Sequence, residues 1–139
     1  MQRSYNRLMA IGFFLIWLLG APAATAASEG RIQWRSYAEG EMLRREEGKA
    51  ALIYFFAVWC TYCTQMEKET FSDPAVVDLV NRYFVPVKVD VDVERSLAAQ
   101  FGVRGLPATV FMMEADRRIG PVPGFIPAAR FVSLLKQAR

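Results

Sequence analysis

The feature that most constrains this chain is a pair of cysteines, Cys60 and Cys63, placed where a strand gives way to a helix. Residues 51–56, before the pair, form a short apolar run rich in aromatics, which is typical of a buried strand. Residues 64–69, after the pair, contain no Gly or Pro and favour a helix. Cys60 therefore lies at a helix N-terminus, where unpaired N–H groups and the helix dipole favour a thiolate. Residues three apart on a helix are about 5–6 Å apart at Cβ, so the two thiols can close a disulfide.

Structural roles account for this pair less well than redox chemistry does. A structural zinc site needs four ligands, commonly Cys or His, and the sequence has two cysteines and no histidine. A purely structural disulfide that closes so short a loop would stabilise the fold by only about 2 kcal/mol. We therefore predict reversible thiol–disulfide chemistry, with no metal and no cofactor.

The first 27 residues differ from the rest and have the layout of a secretory signal peptide. Two arginines precede an apolar run from Leu8 to Ala21, and small residues follow as far as Ala27. These 14 residues fall short of the roughly 20 that a membrane-spanning helix needs. We predict export to the periplasm, with residues 1–27 as the signal peptide and residues 28–139 as the domain. An uncleaved inner-membrane anchor is the alternative.

Charge and composition narrow the class of partner. The sequence has a net charge of +3, and loss of Arg3 and Arg7 with the signal peptide would leave +1. A nearly neutral domain with scattered charges has no nucleic-acid footprint. The apolar share of 53% excludes disorder, and 139 residues allow one domain after the signal peptide. We expect a monomer that does not bind nucleic acid.

Caps and hydrophobic periodicity divide the domain into alternating strands and helices. The order indicates an α/β fold in which parallel strands are joined by helical crossovers and a hairpin adds antiparallel strands. We predict a mixed sheet of four or five strands with helices on both faces. The predicted strands cover 30–34 at an edge, 50–57, 84–91, 108–113 and 118–122. Three of the predicted helices begin after Ser36 (a capping box with Glu39, ended by Gly48), after Cys60 and after Asp73 (to near Tyr83). The other two cover 94–101 and 127–138.

The residues around the cysteines resemble the thioredoxin superfamily. Trp59 to Cys63 reads Trp-Cys-Thr-Tyr-Cys after a hydrophobic strand, and Gly105-Leu106-Pro107 precedes another strand. Within that superfamily, residues 57–60 followed by residues 66–74 look most like the C-terminal, periplasmic thioredoxin-like domain of the DsbD family. The resemblance runs from about Lys49 to Leu135 and implies a thioredoxin fold.

The resemblance also implies a role for each of four residues. Cys60 corresponds to the attacking cysteine, Cys63 to the buried resolving cysteine and Pro107 to a cis-proline that faces them. Beside such a proline, backbone groups of Leu106 can pair with an extended substrate. Glu67 corresponds to an acidic residue near the cysteines, one helical turn past Cys63. A solvated helix residue is the alternative for Glu67.

One position departs from the family pattern. Many thioredoxins and the DsbD domain have a buried Asp six residues before the first cysteine, and this chain has Tyr54 there. A tyrosine, with a reference pKa of about 10, cannot act as an anionic base at neutral pH. Glu67, or water, would then accept the Cys63 proton. Trp59 either shapes the reactive surface or is a partly buried packing aromatic.

The function implied by the resemblance is thiol–disulfide exchange with protein disulfides or thiols. A membrane electron donor of the DsbD type is the implied source of electrons. Thr61-Tyr62 lacks the histidine of strongly oxidising relatives, which favours a reductase or electron carrier. An oxidase or isomerase is the alternative enzymatic role, although isomerases of this superfamily usually carry a dimerisation domain for which the predicted domain has no room. The alternative from another class is a thioredoxin-fold binding module that serves an envelope assembly or a cytochrome or sulfur-oxidation system without turnover.

Overall fold

A computed structural model describes residues 30–139, so the predicted signal peptide at residues 1–27 lies outside the described residues. No helix within residues 30–139 has the length and apolar character that are needed to cross a membrane. The helices are α1 (Tyr37–Glu47), α2 (Thr61–Glu69), α3 (Pro74–Tyr83), α4 (Arg95–Phe101) and α5 (Ala128–Ala138), and the strands are β1 (Ala50–Phe56), β2 (Phe84–Asp90), β3 (Ala108–Met112) and β4 (Arg118–Pro123).

The four strands form one mixed sheet in the order β2-β1-β3-β4. Strands β1 and β2 are parallel, whereas β3 is antiparallel to both β1 and β4. Because β3 starts at Ala108, opposite Phe55, the residues before β3 lie at the carboxyl end of β1. This is the end at which the chain leaves β1 toward the cysteines, so the topology brings Pro107 and the Cys60–Cys63 pair to the same edge.

Helices cover both faces of the sheet, and the predicted α/β fold is confirmed. One core lies between the sheet and helices α2, α3 and α5, and it contains both cysteines, Tyr54 and Phe71. The other core lies between the opposite sheet face and α4, with partly buried residues of α1 packed against it. The rings of Tyr54 and Phe71 meet edge to face with their centroids 4.7 Å apart. The sheet face that carries Tyr54 is therefore the face that supports the cysteine helix.

Side chains predicted to cap two helices do so. The Ser36 side chain accepts a hydrogen bond from the backbone N–H of Glu39, whose carboxylate accepts from the Ser36 N–H in return. Asp73 accepts from the N–H groups of Ala75 and Val76, with Pro74 as the first helical residue. Such caps satisfy N–H groups that have no partner within the helix. They fix the starts of α1 and α3.

The strand predicted at residues 30–34 is not formed. A single parallel bridge joins Arg35 to Val87, through Arg35 N–H donating to the Pro86 carbonyl (2.9 Å) and Lys88 N–H donating to the Arg35 carbonyl (3.0 Å). Proline has no N–H, so Pro86 cannot donate the next bond of this ladder. The N–H of Gln33 instead donates to the side chain of Asn81. The prediction of an edge strand at 30–34 was wrong because a proline on the outer edge of β2 ends the pairing, and the sheet has four of the predicted four or five strands.

Candidate active site

The two cysteines are joined by a disulfide at the start of α2. Cys60 is the N-cap residue, and its sulfur accepts a hydrogen bond from the backbone N–H of Cys63 at 3.2 Å. The Cα atoms of the pair are 5.2 Å apart. Cys60 is 6% exposed and Cys63 is 1% exposed, so the sulfur at the helix terminus is the more accessible of the two. After reduction, the N–H group and helix dipole at this position would favour negative charge on the Cys60 sulfur.

Pro107 and the residue before it lie at the same edge as the disulfide. The Leu106–Pro107 peptide bond is cis, as the resemblance implies, and Pro107 is buried. The Pro107 carbonyl accepts a hydrogen bond from the Gly124 N–H at 2.7 Å, which ties it to the end of β4. Within residues 30–139, the backbone N–H and C=O of Leu106 make no backbone hydrogen bond. Leu106 and Cys60 line a common cleft of about 600 Å³, so an extended chain bound at Leu106 would lie beside Cys60.

Tyr54 lies fully buried beneath the cysteine helix. Its hydroxyl donates a hydrogen bond to the Cys63 carbonyl oxygen at 3.2 Å. Burial raises the pKa of Tyr54 above its ordinary value of 10.0, and the negative charge of Glu67 raises the pKa further. Tyr54 is therefore protonated at neutral pH and acts as a donor to the backbone of α2. This arrangement agrees with the expectation that Tyr54 cannot serve as an anionic base.

Glu67 forms an ion pair that the sequence did not indicate. Its carboxylate lies 3.0 Å from the Lys88 ammonium, and the Glu67 side chain is 39% exposed. The Lys88 ammonium also lies over the ring of Phe56, 4.3 Å from its centroid. Among the described residues the polar partner of Glu67 is Lys88, and no hydrogen bond joins Glu67 to either cysteine. The two predictions for Glu67 were an acidic residue near the cysteines and a solvated helix residue, and the structure lies between them. The Glu67 side chain is half-buried, and its charge raises the pKa of Tyr54.

Trp59 belongs to the exposed surface around Cys60. The side chain is 68% exposed, and its indole N–H donates to the Asp92 carboxylate at 2.8 Å. The alternative of a packing aromatic is therefore wrong for Trp59. Two of its neighbours in sequence, Val58 and Tyr62, are also large apolar residues exposed to solvent, as is Val93, which follows Asp92. We call Val58, Trp59, Tyr62 and Val93 the apolar rim of the site.

Three residues that sequence reasoning did not single out also lie at the site: Lys88, Asp92 and Arg104. Lys88 is the sheet partner of Tyr54, and only the register of β1 against β2 reveals that pairing. Asp92 is 33 positions from Trp59 in sequence. Arg104 lines the cleft beside Cys60. Alternating valines indicated the strand that carries Lys88, which was the one available signal.

Among residues 30–139 there is no group of three or more Asp, Glu, Cys or His side chains that could hold a metal ion.

The fold and the disulfide-bonded pair together define a class of protein. Residues 42–139 match the family described as Thioredoxin-like domain, and the chain belongs to this family. Curated relatives narrow the class: the chain is a DsbD-like thioredoxin domain that carries the Cys-x-x-Cys disulfide of thiol:disulfide oxidoreductases.

Two relatives illustrate the similarity in sequence. The thiol:disulfide interchange protein DsbD of Actinobacillus pleuropneumoniae serotype 5b (strain L20) is 30% identical over 133 residues, which are 88% of this chain and 23% of that protein. DsbD of Tatumella citrea is 26% identical over 132 residues, again 88% of this chain and 23% of the relative. The chain spans about a quarter of the length of the curated relatives that it matches.

Two solved structures illustrate the similarity in fold. A thioredoxin from Thermus thermophilus superposes with a TM-score of 0.66 at 32% identity, covering 76% of this chain and 85% of the other. The oxidised form of the Neisseria meningitidis DsbD C-terminal domain superposes with a TM-score of 0.64 at 26% identity, covering 73% of this chain and 91% of that domain. The predicted thioredoxin fold and the resemblance to DsbD are confirmed.

Proposed function

We propose that this protein is an exported thiol:disulfide oxidoreductase that works as a reductase or electron carrier for protein disulfides. The observation that carries the proposal is the Cys60–Cys63 disulfide, with the more accessible sulfur at the N-terminus of α2. An oxidised pair of this kind needs only an external dithiol to return to its reduced form. The similarity to DsbD supports a membrane donor of that type as the source of electrons.

The reaction proceeds in two exchange steps. In the reduced protein, the Cys60 thiolate attacks one sulfur of a partner's disulfide, the partner's S–S bond breaks, and its other sulfur leaves as a thiolate. Cys63, after losing its proton, attacks the Cys60 sulfur of the mixed disulfide and releases the second partner sulfur. Two electrons pass to the partner, and Cys60–Cys63 becomes the disulfide. A donor dithiol then reduces the Cys60–Cys63 disulfide by two exchanges of the same kind. The donor becomes a disulfide, and both cysteines return to thiols.

Glu67 is the proposed proton acceptor for Cys63. Its carboxylate lies one helical turn past Cys63 on the same face of α2, and the Lys88 ammonium holds it there at 3.0 Å. Tyr54 holds the Cys63 carbonyl from below and keeps its own proton, so it cannot take this role. Because Glu67 makes no hydrogen bond to a cysteine among the described residues, a water molecule would carry the proton between Cys63 and the carboxylate.

The surface around Cys60 supports a protein as the partner. Val58, Trp59 and Tyr62 are exposed large apolar residues on the segment that carries Cys60, and the exposed Val93 follows Asp92, the hydrogen-bond partner of Trp59. Contiguous exposed apolar groups are typical of protein-binding surfaces. The unpaired backbone of Leu106 offers main-chain hydrogen bonds to an extended segment of such a partner.

Insulin reduction by dithiothreitol tests the proposal. We expect the protein to accelerate precipitation of the insulin B chain, and Cys60→Ser to abolish the acceleration. Cys63→Ser should accumulate mixed disulfides instead, since it lacks the thiol that releases the product. A protein that leaves the uncatalysed rate unchanged would instead be a thioredoxin-fold binding module.

Export by the N-terminal segment is a separate part of the proposal. Cleavage after the small residues that end at Ala27 would release a periplasmic, monomeric domain of residues 28–139. Fractionation of cells that express the full chain, with intact-mass analysis of the periplasmic protein, tests this. A full-length chain retained in the membrane fraction would show that residues 1–27 act as an anchor.

A further inference from the structure

The cleft beside Cys60 has apolar walls and one charged side chain. Its volume is about 600 Å³, and Trp59, Tyr62, Val91, Val103 and Leu106 supply most of the apolar lining. Arg104 is the only ionisable group among the lining residues apart from Cys60 and the phenol of Tyr62. A substrate segment bound in this cleft, on the Leu106 side of Cys60, would therefore meet one positive charge in apolar surroundings.

Arg104 is not committed to a partner within the protein. Its side chain is exposed, and within residues 30–139 it makes no ion pair or hydrogen bond. The nearby acidic residues at the end of β2 and on the loop after it form no ion pair with Arg104: Asp92 accepts from the Trp59 indole, Asp90 accepts from the backbone N–H of Asp92, and Glu94 is the N-cap residue of α4. The positive charge of the cleft is thus available to a ligand.

We propose that Arg104 is a specificity-determining residue that selects substrates with an acidic side chain close to the attacked cysteine. This inference rests on the proposed oxidoreductase function and names the substrate class of the same site. Arg104 lies two residues before Leu106, whose free backbone would align the substrate. An extended chain advances about 3.3 Å per residue, so only positions within about three residues of the cysteine come within reach of the guanidinium. Arginine pairs with carboxylates through two parallel N–H donors, which suits a Glu or Asp at such a position.

Matched peptides test the proposal. Four disulfide-containing peptides would share one sequence and differ only in Glu or Gln, placed two residues before or two residues after the attacked cysteine. We expect the wild type, in its reduced form, to show a higher kcat/KM for Glu than for Gln at one of the two positions. An exposed ion pair contributes about 0.2–1 kcal/mol, which corresponds to a preference of up to about fivefold. The preference should disappear at 1 M salt, where screening shortens the reach of charge to about 3 Å.

Charge variants assign the preference to Arg104. Arg104→Gln should treat Glu and Gln peptides alike, and Arg104→Glu should prefer a Lys peptide. Arg130→Glu is the matched control, because it makes the same charge change at an exposed position on α5, outside the cleft. This control should retain the wild-type preference.

The outcomes distinguish failure of the Arg104 proposal from failure of the oxidoreductase proposal. Turnover of all peptides without a Glu preference, or a preference that survives in Arg104→Gln, would overturn the role of Arg104 and leave the oxidoreductase function standing. Absence of turnover with every peptide and with insulin would overturn both.

Discussion

The two cysteines differ in how readily each sulfur can react with a partner. Cys60 is an N-cap residue with some exposure, whereas Cys63 is packed inside the first turn of α2. A thiolate at a helix N-terminus is favoured by the helix dipole, and a buried thiolate is disfavoured by desolvation. Position and burial therefore both favour Cys60 as the sulfur that reacts first.

We expect iodoacetamide to alkylate Cys60 before Cys63 in the reduced protein, and to do so at a lower pH. Peptide mapping after short labelling times, repeated between pH 5 and 9, measures both reactions. Cys63→Ser and Cys60→Ser provide the single-thiol controls. Preferential alkylation of Cys63 would contradict the assignment.

Tyr54 is a buried neutral donor beneath the cysteine helix, and its contribution to stability can be measured. Tyr54→Phe removes the buried hydrogen bond to the Cys63 carbonyl and leaves the ring contacts with Phe71 in place. We expect the free energy of unfolding to fall by about 0.5–1.5 kcal/mol, the usual net contribution of such a bond. Tyr62→Phe, at a 62% exposed position, is the control and should change it little. Urea unfolding of the oxidised protein measures both variants, and equal losses would argue against the bond.

The raised pKa of Tyr54 gives this difference a pH dependence. Because the pKa in the folded state lies above 10.0, the unfolded chain releases the Tyr54 proton first as the pH rises. The stabilisation is therefore fully present below about pH 10 and declines above it. The gap in unfolding free energy between wild type and Tyr54→Phe should stay constant from pH 7 to 9 and narrow above pH 10. A constant gap up to pH 11 would contradict the raised pKa.

At the scale of elements, helix α2 connects the redox pair to the sheet. It carries Cys63 in its first turn and Glu67 one turn later, and the Glu67–Lys88 ion pair joins it to β2. Tyr54 on β1 holds the same helix through the Cys63 carbonyl. Two strands thus hold α2 in place, and Glu67, which makes one of these connections, is also the proposed acceptor of the Cys63 proton.

Glu67→Gln separates the two exchange steps. If Glu67 is the base, we expect product release to slow by about ten- to a hundredfold, since general bases contribute about 10²–10⁴-fold and water would replace part of that. The pH dependence of release should also change, while the first attack by Cys60 stays nearly the same. Stopped-flow fluorescence of Trp59, next to Cys60, can follow both steps. Glu69→Gln, an exposed residue of the same helix, is the control.

Equal release rates and unchanged pH profiles in Glu67→Gln would assign Glu67 to the solvated surface. Water would then be the proton acceptor.

At the scale of the whole molecule, local signals predicted most of the fold. The capping box of Ser36 and the Asp73-Pro74 start act within one turn of a helix, so the sequence contains all the information they need. The contacts that were missed join residues far apart in sequence, such as Trp59 with Asp92 and Glu67 with Lys88. They depend on strand register and loop placement, which no local pattern encodes. The expected strand at 30–34 failed for the same reason, because its partner edge contains Pro86.

Functional features also divide into those formed by residues close in sequence and those formed by residues far apart. The cysteine spacing identified the chemistry, since a redox pair is local to one helix turn. The surface that would recognise a partner is assembled from three segments that are separate in sequence: one around Trp59, one from Val91 to Val93, and one around Leu106. A protein partner would therefore contact more of that surface than a small disulfide would.

Substitution of the apolar rim should distinguish large partners from small ones. We expect Val58→Ser and Val93→Ser to slow insulin reduction by about two- to fivefold each, the effect of losing about 0.4–1 kcal/mol of apolar burial in the complex. Reduction of a small aromatic disulfide should keep its wild-type rate, because that reagent reaches Cys60 without covering the rim. Met42→Ser, at an exposed apolar position on α1, is the control and should leave both rates unchanged. If both rim variants reduced insulin at the wild-type rate, the partner would contact Cys60 and Leu106 without the rim.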